Sequence, residues 1–335
     1  MNKNKEYIHD AAYKLGQLIV TPIKVNDERK DNITLLTIGD IQFAVEVRTE
    51  IRASSKGIVL QQLKDLIART SRPTIVISKY IALEVANEFK VNNINYIDIA
   101  GNTYIKQNSL FIYISGQKAQ NLAKTNQARA FQESGIKLIF NLLRKPDNLQ
   151  LTYRELSELA GISVGSVSNV MRELEDLDFV LKTNNKCVLK NTRVLFDRWI
   201  IAYFDVLRPR ILKRRMHFEF AGDFLSWTNL PLGQSKNTFL WGGEPAAAVL
   251  TNNLRPEKFS IYTQENWQVV AKELRLIPDE SGNFEILDIF WKIDPGEKKI
   301  LSPSLLIYAD LIGSGIERNS QIANDIFENE LRYLK

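Results

Sequence analysis

The 335-residue chain has only one cysteine and two histidines. Cys187 alone excludes an intrachain disulfide, and His9 and His217 share no recognisable zinc-ligand spacing with it. A metal site built on histidine or cysteine is therefore not expected. Long apolar runs are also missing, since none nears the ~20 residues that a membrane-spanning helix needs. The opening stretch, MNKNKEYIHDAAYKLGQ, carries no apolar signal core. These absences set the expectation of a cytoplasmic protein with no membrane contact. Acidic residues are absent from positions 208–217, which hold Arg208, Arg210, Lys213, Arg214 and Arg215. No internal repeat is visible.

What is present is a globular composition, 44% hydrophobic, in a chain long enough for two or three domains. The most distinctive stretch is residues 151–190, LTYRELSELAGISVGSVSNVMRELEDLDFVLKTNNKCVLK, which reads as helix, tight turn, helix and two-stranded wing. Tyr153, Leu156 and Leu159/Ala160 recur at helical spacing, as do Val167, Val170, Met171 and Leu174. Between them Gly161 suits a left-handed helix end, and Ser163 suits the N-cap of the next helix. Such a winged helix-turn-helix lays its second helix in a DNA major groove. Ser163, Gly165, Ser166, Ser168, Asn169 and Arg172 form the polar front of that helix, with Asn169 suited to an adenine edge and Arg172 to a guanine or a phosphate. The wing, with a turn at Thr183-Asn184-Asn185, offers Lys182, Lys186 and Lys190 to the phosphate backbone.

The formal net charge is +5 and the isoelectric point about 9.0. Its distribution is uneven. Residues 120–217 hold 17 Lys and Arg against 10 Asp and Glu, a net of +7, so the remainder sums to −2. The basic excess surrounds the helix-turn-helix, as attraction to phosphate requires. Arg210, Arg214 and Arg215 extend the expected DNA contacts.

The region before residue 115 alternates helices and strands in an α/β pattern. Helices are expected at 5–18, 57–69 and up to Lys90, a hairpin at 33–47 through Gly39-Asp40, and strands at 73–78, 95–98, 102–105 and 110–114. Residues 115–127, SGQKAQNLAKTNQ, read as a linker. In FAVEVR, Glu46 and Arg48 point to one face of a strand. This region resembles the restriction-endonuclease-like fold, in which a carboxylate-x-lysine strand and a second acid hold Mg²⁺. Asp40 or Asp31 is the expected second carboxylate beside Glu46, with Gln61 or Gln62 on the following helix. The departures are Arg48 in place of lysine, which cannot exchange a proton near neutral pH, and the lack of a preceding proline. Lys56 is the remaining substitute, and Asp98 a further candidate acid.

After the wing, a helix at 194–207 carries Leu195, Trp199, Ile200, Tyr203 and Phe204 on roughly one face, expected to pack on the helix-turn-helix or on a second subunit. Strands are expected at 258–262 and 285–291 and helices at 244–251, 303–313 and 320–334. Gly242-Gly243 and Glu244-Pro245 mark a helix start, where Glu244 argues against a bound phosphate. Asp310 and Arg318 are expected to pair across the Gly313-Ser314-Gly315 break.

Taken together, YIDIAGNTYI (96–105), WGGEPAAAVL (241–250), LLIYADLIGSGIERNSQIANDIFENEL (305–331) and the winged helix are similar to AbiEi-type antitoxins of type IV toxin–antitoxin pairs. The resemblance implies autorepression of an operon and opposition to a nucleotidyltransferase toxin without a stable complex. The expected architecture is α/β and α+β multidomain: a PD-(D/E)xK-like α/β domain at 1–115, a winged helix-turn-helix at 128–192 and a C-terminal α+β domain at 193–335. The expected partner is double-stranded DNA, bound by a homodimer on paired half-sites, with no cofactor. The alternative is a Mg²⁺-dependent nuclease using Asp40, Glu46 and Arg48, with Asp40 and Glu46 as metal ligands.

Overall fold

In the computed structural model, residues 3–28, 33–70, 72–118, 129–183, 186–219, 227–230, 239–293 and 300–335 are described. Asp31, the Asn184-Asn185 tip and most of the expected linker lie outside them. The chain divides into two compact units, Met1–Thr125 and Asn126–Lys335. Both mix helices and sheets, in keeping with the expected α/β and α+β class.

The first unit is a seven-stranded sheet whose strands lie side by side in chain order: β1 (Ile23–Glu28), β2 (Ile33–Ile38), β3 (Ile41–Ile51), β4 (Thr74–Ile81), β5 (Asn95–Asp98), β6 (Thr103–Gln107) and β7 (Leu110–Ile114). Strands β3, β4 and β5 run parallel, which requires the crossover helices α2 (Lys56–Arg69) and α3 (Leu83–Val91). Helix α1 (Lys3–Leu18) packs Tyr7, Ile8, Ala11 and Leu15 against Phe43, Ile75, Ile77 and Ile97. Residues one position along each strand point to the opposite face. There Phe89 of α3 meets Tyr96, ring centroids 5.9 Å apart. Among the described strands of this unit, β1 is the one without a sequence expectation; its alternation IKVNDE is short and half polar.

The second unit begins with α4 (Glu133–Arg144), α5 (Tyr153–Ala160) and α6 (Val164–Asp176), followed by a hairpin of β8 (Val180–Lys182) and β9 (Cys187–Leu189). In place of one continuous helix, a 3₁₀ turn, Arg129–Phe131, precedes α4. Gly135 shows why the chain breaks there. A Cβ at Gly135 would sit 2.2 Å from the Ala130 carbonyl oxygen, so the turn folds back onto the helix at a point with no side chain. Pro146 then ends α4 and opens a 3₁₀ turn, Pro146–Gln150.

Helix α7 (Thr192–Ala202) continues through a π-helical stretch, Tyr203–Leu207, into the short α8 (Arg208–Ile211). Phe196, Trp199 and Tyr203 fall on one stripe and are fully buried. Trp199 stacks on Phe140 of α4 at 5.7 Å, and its indole N–H donates to the Ile136 carbonyl at 2.9 Å. The stripe therefore packs within the chain. A five-stranded sheet follows, in the order β11-β12-β14-β10-β13, from β10 (Leu212–Phe218), β11 (Phe239–Gly242), β12 (Phe259–Thr263), β13 (Leu276–Pro278) and β14 (Phe284–Asp288). Helices α9 (Gly243–Thr251), α10 (Trp267–Leu274), α11 (Ser304–Gly313) and α12 (Glu317–Glu330) complete the unit.

Gly135→Ala should force the 3₁₀ turn away from α4 and destabilise the second unit by roughly 1–3 kcal/mol. Thermal unfolding checks this; an unchanged midpoint would show that the close approach is not needed.

Candidate nucleic-acid interface

Helix α5 starts at a complete capping box. The Thr152 hydroxyl accepts from the Glu155 amide while the Glu155 carboxylate accepts from the Thr152 amide at 2.7 Å. It ends at Gly161, whose φ of +63° lies in the left-handed region. Two residues later Ser163 caps α6 by accepting from the Ser166 amide at 3.1 Å. Leu156, Ala160, Val167, Val170, Met171 and Leu174 are buried between the helices and α4. The opposite side of α6 stays accessible: Ser163, Gly165 and Arg172 are exposed, and Ser166, Ser168 and Asn169 half-buried.

Two details go beyond the sequence pattern. Arg172 donates to the Asn169 side-chain oxygen at 2.8 Å. Asn169 is then left with its amide N–H groups to offer, so in this conformer it matches a purine acceptor, not the donor–acceptor pair of adenine. Val164, 47% exposed, stands at the front of α6. An apolar side chain there fits a thymine methyl. Only its position just after the N-cap could have signalled this, because valine at such a site reads as core.

The hairpin is tied to the body by Gln150, whose amide donates to the Cys187 carbonyl at 2.6 Å and accepts from the Cys187 amide at 3.4 Å. Lys182 is half-exposed and bridged to Glu175 at 2.5 Å. Lys186 and Lys190 are exposed. Arg154, 87% exposed on the first turn of α5, adds a cation that the sequence reading passed over.

The basic stretch at 208–217 is organised differently from a phosphate-binding strip. Arg208 is largely buried between Glu285 at 2.6 Å and Asp310 at 3.3 Å. Arg210 pairs with Glu133 at 2.6 Å, and Lys213 with Asp288 at 2.8 Å. Arg214 lies over the Trp267 ring at 5.5 Å. Arg215 pairs with Glu285 at 3.0 Å. Arg214 and Arg215 are consecutive on β10 and so face opposite sides of the sheet. One DNA backbone cannot take both. Hydrogen bonds from Lys137 and Arg210 hold the Glu133 carboxyl below its ordinary value. The expected Asp310–Arg318 pair is also replaced: Arg318 joins Glu244 at 3.3 Å and Glu257 at 2.6 Å.

In the first unit, Glu46 and Arg48 do share a face, and they pair with each other at 2.9 Å. Asp40 sits in the β2–β3 turn, six residues from Glu46 along an unbroken strand. At ~3.3 Å per residue that is about 20 Å, too far to share a metal ion. Asp98 lies in one row with Arg48 through Ser78, but its carboxylate caps its own turn, accepting from the Asn102 amide and side chain at 2.8 Å each. Burial nevertheless raises its pKa. Lys56 reaches Glu84 at 2.7 Å and Glu88 at 3.6 Å, and Gln61 donates to Asp65. These residues do not fit a Mg²⁺ site. Among the described residues, no group of three or more His, Cys, Asp or Glu side chains is placed to hold a metal.

Residues 188–332 match the family model described as "Transcriptional regulator, AbiEi antitoxin, Type IV TA system". The match covers less than half of the chain. It begins within β9 and ends after α12, so α5, α6 and the first unit lie outside it. No curated protein matches the chain. No solved structure does so either. Among the described residues, no helix is long and apolar enough to cross a membrane.

The buried ion pairs in the matched region give a pH test. Burial pushes the Glu285 carboxyl up, but Arg208 and Arg215 outweigh it and the net shift is downward. Glu285 therefore stabilises the fold fully above pH 4.5, its ordinary value, and less as the pH falls toward its lowered value. Burial raises Asp310 despite Arg208, which gives the opposite sign above pH 3.8. In Glu285→Gln the loss of stability between pH 7 and pH 4 should shrink, as read by urea unfolding. An unchanged acid slope would remove Glu285 as its source.

Proposed function

We propose that the chain is a DNA-binding transcriptional regulator and the antitoxin of a type IV toxin–antitoxin pair, repressing its own operon. The observation that carries the DNA-binding half is the α5–Gly161–α6 unit, whose second helix leaves a small, polar face uncovered. On this reading α5 and α6 are a helix-turn-helix, and the β8–β9 hairpin is its wing. Residues Ser163 to Arg172 enter the major groove, with Val164 against a thymine methyl and the Arg172–Asn169 pair donating to purine acceptors. Arg154, Lys182, Lys186 and Lys190 take phosphates, Lys182 by exchanging Glu175 for the DNA backbone. A homodimer on paired half-sites is the matching stoichiometry.

The antitoxin half rests on the family match over 188–332. Its counterpart would be a nucleotidyltransferase toxin encoded beside it. The first unit, on this reading, keeps a nuclease-like sheet without cutting DNA. The Mg²⁺-dependent alternative gains no support from a Glu46 already paired with Arg48 and far from Asp40.

Two measurements test these assignments. With DNA from upstream of its own gene, Arg172→Ala should weaken binding about tenfold by fluorescence anisotropy. Binding that survives Asn169→Ala together with Arg172→Ala would reject α6 as the reading helix. Supercoiled plasmid with Mg²⁺ or Mn²⁺ should stay uncut. Nicking that Glu46→Ala abolishes would restore the nuclease alternative.

A further inference from the structure

In the second unit, away from α6, a cavity of about 440 Å³ opens between α8, β10, β12, α9 and α11. Its walls are built where side chains are missing. A Cβ on Gly313 would fall 2.0 Å from the Phe204 ring, one on Gly242 would fall 2.5 Å from the Tyr262 ring, and one on Gly243 would meet the Ser260 hydroxyl at 2.9 Å. Gly243 also has φ of +46°. Of these glycines, Gly243 and Gly313 line the cavity. The π-helical stretch Tyr203–Leu207 runs beside it, placing Phe204 and Arg208 in the lining. Such insertions in a helix recur at functional sites.

Three kinds of hydrogen-bond donor converge on this space. Helix α9 begins at Gly243, no side chain caps its first turn, and Gly243 and Glu244 line the cavity; with Pro245 lacking an N–H, the amides of those two residues are the donors at that end. Ser260 is 5% exposed, lines the cavity, and has no hydrogen-bond partner among the described residues. Arg208 uses Nε for Asp310 and one Nη for Glu285, while Nη1 has no partner among the described residues.

Four carboxylates, Glu244, Glu280, Glu285 and Asp310, line the cavity against Arg208, Arg215 and Lys258, and three of the four are engaged by other groups. Asp310 is held by Arg208 and by the Tyr262 hydroxyl at 2.9 Å, and Glu285 by Arg208 and Arg215. Glu244, expected to repel a phosphate from the helix start, instead accepts from the Glu257 and Lys258 amides and from Asn319, and is bridged to Arg318. Glu280 and Lys258 both stand exposed at the rim.

We infer that this cavity binds a small phosphorylated molecule, its phosphoryl oxygens accepting from the α9 amides, the Ser260 hydroxyl and Arg208 Nη1. Donors arriving from a helix end, a strand and a second helix suit a tetrahedral oxyanion better than a planar carboxylate. The volume exceeds that of phosphate alone and leaves room for an organic group against Phe204. The site lies within the stretch matched by the antitoxin family, on elements other than α5 and α6, and its ligand does not depend on whether those helices bind DNA.

Isothermal titration calorimetry on the full chain, with inorganic phosphate and with a panel of nucleoside 5′-monophosphates as probes, tests the inference. Saturable one-to-one binding of at least one probe is expected, weakened roughly tenfold by Ser260→Ala. Lys258→Glu, on the exposed rim, serves as a second variant that leaves the core untouched and should also weaken binding. Circular dichroism melts establish that each variant is folded. No saturable binding at millimolar probe, or equal affinity in native chain and both folded variants, overturns the inference.

Discussion

Trp199 is the residue on which the second unit depends. Its ring is buried among Phe140, Phe196 and Tyr203, and its N–H reaches a carbonyl of α4. A helix that carries Phe196, Trp199 and Tyr203 on one stripe must find aromatic cover at both ends. Phe140 supplies it from the helical bundle, while Tyr308 and Phe327 supply it from the C-terminal helices. The Tyr203 hydroxyl then meets Tyr262 at 2.7 Å, which extends the contact into the sheet and to Asp310. For this reason the α4–α6 region and the C-terminal sheet form one unit.

Much of this was legible where a local rule acts alone. Gly161 and Ser163 fix the end of one helix and the start of the next through backbone chemistry within a few residues, and the structure has them in those roles; the Thr152-x-x-Glu155 box is equally local but was passed over. The hairpin through Gly39-Asp40 and the strands at 95–98 and 110–114 were equally local. The ion pairs were not legible, because they depend on what the fold brings together. Arg318 finds Glu244 across 74 residues and Arg208 finds Asp310 across 102, while the sequence suggested the nearer pair. The break before α4 was hidden for the same reason, since Gly135 matters only through its contact with Ala130.

The pairing of Asp40 with Glu46 fails on distance along one strand. Period-two alternation correctly put Glu46 and Arg48 on one face, but alternation says nothing about separation along the strand axis. Asp98, close to them across the sheet, spends its carboxylate on the turn that Gly101 makes at φ +98°. A sheet in strict chain order places strand ends together only between neighbours, so acids on distant turns do not converge.

The pairing of the 208–217 cations has a thermodynamic consequence for any DNA complex. A cation with its own carboxylate neutralises no phosphate until that bridge is broken, and so releases no counterion from the duplex. The count of 17 basic residues around α6 thus overstates the ionic part of the affinity. Binding should lose less on raising the salt than so basic a stretch suggests, leaving a larger share of the free energy to contacts that distinguish one base sequence from another.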